Sequence, residues 1–345
     1  MNTGTSHSSP DASLFLCKTG FESVCAHELT KTGNTVTRTG AGCLSVLSPS
    51  GLIPPATGWC FPVWALVRPT AIPGASVNDN VRSLFELFGR WAKDRTFTAA
   101  WPAVFIPPGG PDGDGPFSSV KKRWRELLRE RMSRVARLAV EETALAWGVH
   151  EGFFAQWDGT AWQVSTTAYY GGQARMHDMP GAPSRSFLKL EEALRILGRE
   201  PALHDSVADL GAAPGGWSLS AARRGATVTA VDNGPLKGDA AAHPNIVHRR
   251  ADAFTFAPPG NPPFKWLLCD ILDRPEHVLS LVERWLSRRW CRFYVVNLKM
   301  GRSDATVVWD RLQDPRGPLQ SASTRFLMRQ LFHDRDEITL MGEAR

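Results

Sequence analysis

Apolar and polar positions follow two different rhythms along this chain. Up to about residue 170, short runs such as Ser13 to Cys17 and Trp59 to Val67 predict strands, interrupted by the Pro- and Gly-rich stretch from Pro107 to Pro116. One longer segment, Val120 to Trp147, has helical spacing through Trp124, Leu127, Leu128, Val135, Leu138 and Ala139 and predicts a helix. The stretch GGQARMHDMPGAPSRS, residues 171–186, then reads as a linker. Beyond it, helical and strand patterns alternate. Leu188, Leu190, Leu194 and Leu197 predict a helix, and short strands end at Asp209, Asp232, just before Asp252, at Asp270 and at Lys299. Such alternation argues for crossover units and a parallel sheet. The organisation expected is a disordered leader at 1–12, an α+β region at 13–172, a linker at 173–186 and an α/β domain with a mostly parallel, doubly wound sheet at 187–345.

Length agrees with two units, because 345 residues exceed what one core usually holds. A net charge of +6 suits a phosphate-rich partner, although charge alone does not separate nucleic acid from an acidic membrane surface. On the predicted helix, Lys121, Lys122, Arg123, Arg125, Arg129, Arg131 and Arg134 could follow a phosphate backbone, with Trp124 available for stacking or for core packing. A solvated face offset by Glu126 and Glu130 would read the same way. Most of the thirteen tryptophans are expected to serve packing. The six cysteines, Cys17, Cys25, Cys43, Cys60, Cys269 and Cys291, form no CxxC pair and have no His repeat beside them, so reduced thiols are expected and no metal site. The first residues lack the cationic and apolar parts of a secretory signal, and no apolar run is long enough to span a bilayer. A cytoplasmic protein without a membrane partner, and a monomer by default, is the expectation.

The richest string is VADLGAAPGGWSLSAA, Val207 to Ala222, which reads as strand, tight turn and helix. Asp209 closes the strand, Gly211 permits the turn, and Gly215 and Gly216 are expected to let a ligand approach the backbone at a helix N-terminus. The turn is not the GxGxxG of nicotinamide enzymes, since Pro214 and a Gly pair occupy it. Asp232, sixteen residues past Gly216, could bind ribose hydroxyls, and Asp252 could accept from an adenine amino group or simply hold a turn. Asp270 and Lys299 fall at carboxyl ends of predicted strands, the edge where open α/β sheets bind ligands. Lys189, on the predicted helix, and Glu337, at the start of the last strand, flank that edge, though each could equally be an ordinary surface residue.

Through DLGAAPGGW, the SRSFLKLEEA helix and the order Lys189, Asp270, Lys299, Glu337, the chain resembles the FtsJ-like RNA ribose 2′-O-methyltransferases. With VDNGP, CDILDRP, WCR, NLK and RQLFHDRDEIT added, it is similar to that family's bacterial large-subunit ribosomal RNA branch, which carries an N-terminal THUMP domain. The match is dense over about 180–340 and thinner upstream, where LFLCKTGFESVCAHEL carries it. The resemblance implies a Rossmann-like class I methyltransferase domain behind an α+β THUMP-like region. Its cofactor would be S-adenosylmethionine, contacted by Ser186, Asp209, Gly211, Ala213, Pro214, Gly215, Gly216, Trp217, Asp232, Asp252 and Asp270. Lys299 would be the general base of a tetrad with Lys189, Asp270 and Glu337. The substrate implied is a cytidine ribose in the peptidyl-transferase region of 23S ribosomal RNA, methylated as naked or early precursor RNA.

Such a transfer is an in-line displacement on a sulfonium methyl group, so the site has to align the atoms and remove a proton. With an ordinary pKa of about 10.4, Lys299 would need burial and Lys189 to lower it, while Asp270 and Glu337 oppose them. The residues alone leave the balance open. Two rivals share parts of this pattern: a non-catalytic RNA-binding or assembly factor on the same scaffold, and a nicotinamide oxidoreductase, which the Pro-Gly-Gly turn disfavours.

Overall fold

The computed structural model describes residues 11–49, 51–107, 116–258, 260 and 264–345. Most of the expected leader and most of the Pro- and Gly-rich stretch lie outside them. The chain divides into two compact units, 1–172 and 173–345.

The first unit contains β1 (Ser13–Leu16), α1 (Glu22–Lys31), β2 (Thr35–Gly40), β3 (Cys43–Leu47), β4 (Trp64–Leu66), β5 (Thr70–Pro73), α2 (Val77–Ala92), β6 (Trp101–Ile106), α3 (Phe117–Arg131), α4 (Ser133–Leu138), β7 (Ala139–Val140), β8 (Gly148–Trp157) and β9 (Ala161–Tyr170). Its sheet runs β2-β3-β1-β4-β9-β8-β6-β7, with β5 also on β9. Two expectations need correction. The helix expected over 120–147 breaks at Met132, whose non-helical backbone (φ −140°, ψ 57°) separates α3 from α4, and the chain then enters β7, which pairs in parallel with β6. The strand expected over 59–67 is only β4, because the buried Glu28 carboxylate captures the N–H groups of Cys60 (2.7 Å) and Phe61 (3.0 Å) that a ladder would have used.

Trp124 is fully buried and stacks on Phe153 at 5.2 Å, so it packs the core and offers no face to a base. On the same helix, Lys121 and Arg125 pair with Glu141, and Arg123 pairs with Glu126 and Glu130. Lys122, Arg129 and Arg134 remain exposed without an ion pair among the described residues.

The second unit contains α5 (Phe187–Leu197), β10 (Ser206–Leu210), α6 (Gly216–Arg223), β11 (Thr227–Val231), α7 (Gly238–Ala242), β12 (Ile246–Arg249), β13 (Phe264–Cys269), α8 (Pro275–Ser287), β14 (Cys291–Lys299), α9 (Ala305–Gln313), α10 (Pro318–Ser321), β15 (Ser323–Arg329) and β16 (Glu337–Ala344). The strand order is β12-β11-β10-β13-β14-β16-β15, parallel through β14 and antiparallel at β16 and β15. The order reverses between β10 and β13, which is where such sheets open a ligand crevice at their carboxyl ends. Residues expected as a linker are instead packed into this unit. Gln173 and Ala174 are buried, Ala174 N–H donates to Glu192 (3.1 Å), and Met176 N–H donates to His333 Nε2 (2.8 Å). Glu192, buried on α5, also accepts from Phe332 (2.7 Å) and His333 (3.1 Å), so one carboxylate ties the segment before α5 and the β15–β16 turn to the helix. Burial, with the Asp334 charge adding to it, pushes Glu192 up to about 8.

All six cysteines remain thiols. Among the described residues no helix is long and apolar enough to cross a membrane.

Candidate active site

The site is assembled from four segments. Lys299 ends β14, and the antiparallel register sets it opposite Glu337, the first residue of β16. Asp270 follows β13 directly, its N–H bonded to the Leu210 carbonyl (3.2 Å), which holds it beside the turn after β10. Lys189 projects from the first turn of α5. The Lys299 ammonium contacts Asp270 and lies 3.5 Å from Glu337 Oε1, while Lys189 Nζ donates to that same oxygen at 2.6 Å. Glu337 Oε2 accepts the Arg335 N–H at 2.7 Å. All four expected ionisable residues thus meet, each mostly withdrawn from water.

Charge decides the protonation state of this cluster. Burial pulls Lys299 down, but the adjoining Asp270 and Glu337 carboxylates outweigh it, so its pKa is raised and the resting residue is an ammonium. Burial pushes Glu337 up, and the Lys189 hydrogen bond, the Arg335 N–H and the Lys299 charge overcome it, leaving its carboxyl below its ordinary range.

The residues expected to hold a cofactor line the neighbouring edge, in different roles. Asp232 accepts from Ala213 N–H (3.0 Å) and Gly234 N–H (2.7 Å), which fixes its half-buried carboxylate next to the turn carrying Ala213 and Pro214. Asp252 is exposed, with one oxygen engaged by Phe254 N–H (2.9 Å). Asp209 is sealed inside, bonded to Ser218 (2.6 Å), with no partner for its other oxygen among the described residues; burial and the Asp270 and Asp232 charges push it up to about 7. Trp217 is buried and donates to the Ser186 carbonyl (2.8 Å). Asp209 and Trp217 therefore shape the turn from beneath it.

The glycine pair is also required by its neighbours: a Cβ on Gly215 would lie 2.5 Å from the Ala240 methyl group, and one on Gly216 would lie 2.8 Å from Ser184 Oγ and 3.0 Å from Ser186 Oγ, so the protein packs closely against both. Gly211 is required by its φ of +76° and by Ile271, whose Cγ1 would be 2.7 Å from a Cβ. Asp232, the exposed Asp252 and Asp270 remain as hydrogen-bond acceptors, a set that suits S-adenosylmethionine, whose amino groups and ribose hydroxyls donate.

Sequence reasoning passed over a buried polar group behind the tetrad. Asn297, on the same strand face as Lys299, accepts from Lys299 Nζ through Oδ1 (2.5 Å) and donates through Nδ2 to Asp334 Oδ1 (2.9 Å) and Thr339 Oγ1 (2.9 Å). Its signal was a lone amide inside the apolar strand FYVVNLK, two residues before the lysine.

The family of FtsJ-like methyltransferases matches residues 182–286. Ribosomal RNA large subunit methyltransferase M of Laribacter hongkongensis is 32% identical over 317 residues, covering 88% of this chain and 86% of that protein. The chain belongs to the ribosomal RNA large subunit methyltransferase M family. The protein of that name from Halorhodospira halophila is 42% identical over 174 residues, 49% of each chain. Among solved structures, TrmN from Thermus thermophilus is 14% identical, covers 96% of this chain and 99% of its own, and superposes with a TM-score of 0.35, a likeness too loose to argue from. The match to the Laribacter relative runs through both units, and the FtsJ-like match falls on the unit that holds the tetrad.

Proposed function

We propose that this chain transfers the methyl group of S-adenosylmethionine to a ribose 2′-hydroxyl of 23S ribosomal RNA, with Lys299 as the general base. The observation that carries the reading is the convergence of Lys189, Asp270, Lys299 and Glu337 beside the turn after β10. Four ionisable side chains from four segments are costly to bury for structure alone, and such clusters concentrate at reacting centres.

The cofactor, when bound, supplies a methyl carbon made electrophilic by a cationic sulfur. Lys299 takes the proton from the 2′ oxygen as that oxygen attacks, which requires the neutral amine. Asp270 orients the lysine nitrogen from the side of the cofactor edge. Glu337 orients it from the opposite strand and at the same time fixes Lys189, whose positive charge faces the oxygen as it develops negative character. Because the carboxylates hold the Lys299 proton in the resting state, the rate rises with pH through neutrality.

The cytidine of the peptidyl-transferase region, a naked or early precursor substrate, a THUMP-like fold for the first unit and a monomeric, cytoplasmic protein complete the proposal. They rest on the family resemblance, the size match to its relatives and the exposed cations of α3. The test is mass mapping of ribosomal RNA from cells lacking the gene, complemented with wild type or with Lys299→Ala. One 2′-O-methyl should be restored by wild type alone. Restoration by Lys299→Ala would remove the base, and full methylation without the gene would leave only a scaffold or assembly role.

A further inference from the structure

Lys299 keeps one neighbour that the tetrad does not include, Asn297, and it concerns the direction of the lysine's lone pair. A neutral amine has two N–H donors and one lone pair in a tetrahedral arrangement, so whatever accepts the two hydrogens aims the pair. In this site the short-range acceptors of Lys299 Nζ are Asp270 and Asn297 Oδ1, with Glu337 farther away at 3.5 Å.

Asn297 can serve only if its carbonyl faces the lysine, and the surroundings force that orientation. Both hydrogens of Nδ2 are used, one on Asp334 Oδ1 and one on Thr339 Oγ1, each at 2.9 Å. Thr339 in turn donates to Asp334 (3.1 Å), and the second Asp334 oxygen accepts the Leu331 N–H (2.9 Å). A flipped amide would press its oxygen against the Asp334 carboxylate and its NH2 group against the lysine nitrogen. Asn297, Asp334 and Thr339 are all buried, so water cannot substitute for a lost partner.

We infer that Asn297 is a positioning residue for methyl transfer: locked by Asp334 and Thr339, it takes one N–H of Lys299 so that the amine's lone pair points at the ribose hydroxyl. This rests on the reading of Lys299 as the base. It also gives the unusual polar residues of β14, β16 and the turn between β15 and β16 one shared purpose. The charged groups facing Lys299 are Asp270 after β13, Glu337 on β16 and Lys189 on α5, with Asp334 behind Asn297.

The test uses the full-length protein with S-adenosylmethionine and a 23S RNA fragment, in single turnover at saturating RNA from pH 6 to 10. Asn297→Leu removes the acceptor. It should lower the rate about 100-fold, the cost of misplacing a reacting group by roughly 1 Å, with cofactor affinity by calorimetry and KM for RNA within twofold of wild type. Exchanging the pair, Asn297→Asp with Asp334→Asn, keeps an acceptor toward Lys299 and lets the new amide donate to the other Asp oxygen, so a negative charge sits beside Lys299 and the rising limb of the pH–rate profile should move to higher pH by about one unit. A packing role would leave a folded Asn297→Leu at full rate. An unmoved limb in the exchanged pair overturns the inference even if Asn297→Leu does not fold, and so does an unchanged rate in a folded Asn297→Leu. Lys299→Ala is the separating control: if it stays active, the base assignment fails first, whereas an inactive Lys299→Ala with fully active Asn297 variants sinks this inference alone.

Discussion

Replacing Glu337 by Gln tests the electrostatics of the site most directly. The glutamate oxygen lies 3.5 Å from the Lys299 nitrogen, and the two side chains are 12% and 17% exposed. At an effective dielectric of about 20, one unit charge at that distance is worth about 5 kcal/mol. Lys189, 2.6 Å from the same oxygen, cancels much of this, and residual solvent screens more. Keeping about a third leaves roughly 1.5 kcal/mol, or about one pH unit in the position of the Lys299 titration. The sign is fixed: the carboxylate raises the Lys299 pKa, so its loss lowers it, and Lys189, no longer neutralised, pushes the same way. In single-turnover methylation followed by radiolabel transfer to RNA, the wild-type rate should still be climbing at pH 9.5. The Glu337→Gln profile should bend to a plateau about one unit earlier, at a lower maximum because both lysines have lost an orienting partner. Superimposable limbs would refute the claim that carboxylates hold the resting lysine protonated.

The remaining expectations concern stability and binding. Glu192→Ala strips the acceptor from three N–H groups, that of Ala174 buried and those of Phe332 and His333 part-buried; a buried one costs about 1–3 kcal/mol when unpaired, so urea melts should show a loss of about 2 kcal/mol or more. Gly211→Ala forces an alanine to a φ of +76° and into Ile271, next to Asp270; a fall in melting temperature together with weakened S-adenosylmethionine binding by calorimetry is expected. The depressed Glu337 contributes stability that is present above its ordinary value of 4.5 and is lost as pH falls through its folded value, so the melting-temperature gap between wild type and Glu337→Gln should close in acid. Charge reversal at Lys122, Arg129 and Arg134 together should weaken RNA binding and flatten its salt dependence, leaving cofactor affinity unchanged.

How much could be read from the chain depended on whether a residue's role was local. Asp209, Asp232, Asp270 and Lys299 were legible because each ends a short apolar run, and the chain forms those strands with those residues at their carboxyl ends. Lys189 and Glu337 needed the resemblance, since nothing in a helix of this spacing or in the start of a strand marks which side chain turns toward another segment. Asn297, Asp334 and Thr339 escaped notice for a related reason: their bonds join residues 37 and 42 positions apart, and only the β14–β16 register brings them together. The overlong helix prediction failed at Met132, where apolar spacing continues while the backbone turns away. The glycine pair has a second reason for lacking side chains that only the folded chain displays, since Ala240, Ser184 and Ser186 stand where a Cβ would be.

The pairing of β14 with β16 also constrains how such a protein can change. Lys299 with Glu337 and Asn297 with Thr339 are cross-strand partners two residues apart, so they share a face by parity. Inserting or deleting an even number of residues within either strand keeps that parity, while an odd number turns half of the reacting group to the wrong side of the sheet. The turn from 330 to 336 can absorb variation only while it still delivers Asp334 to Asn297. Descendants of this sequence are thus free to drift in composition along their final strand far more than in its count.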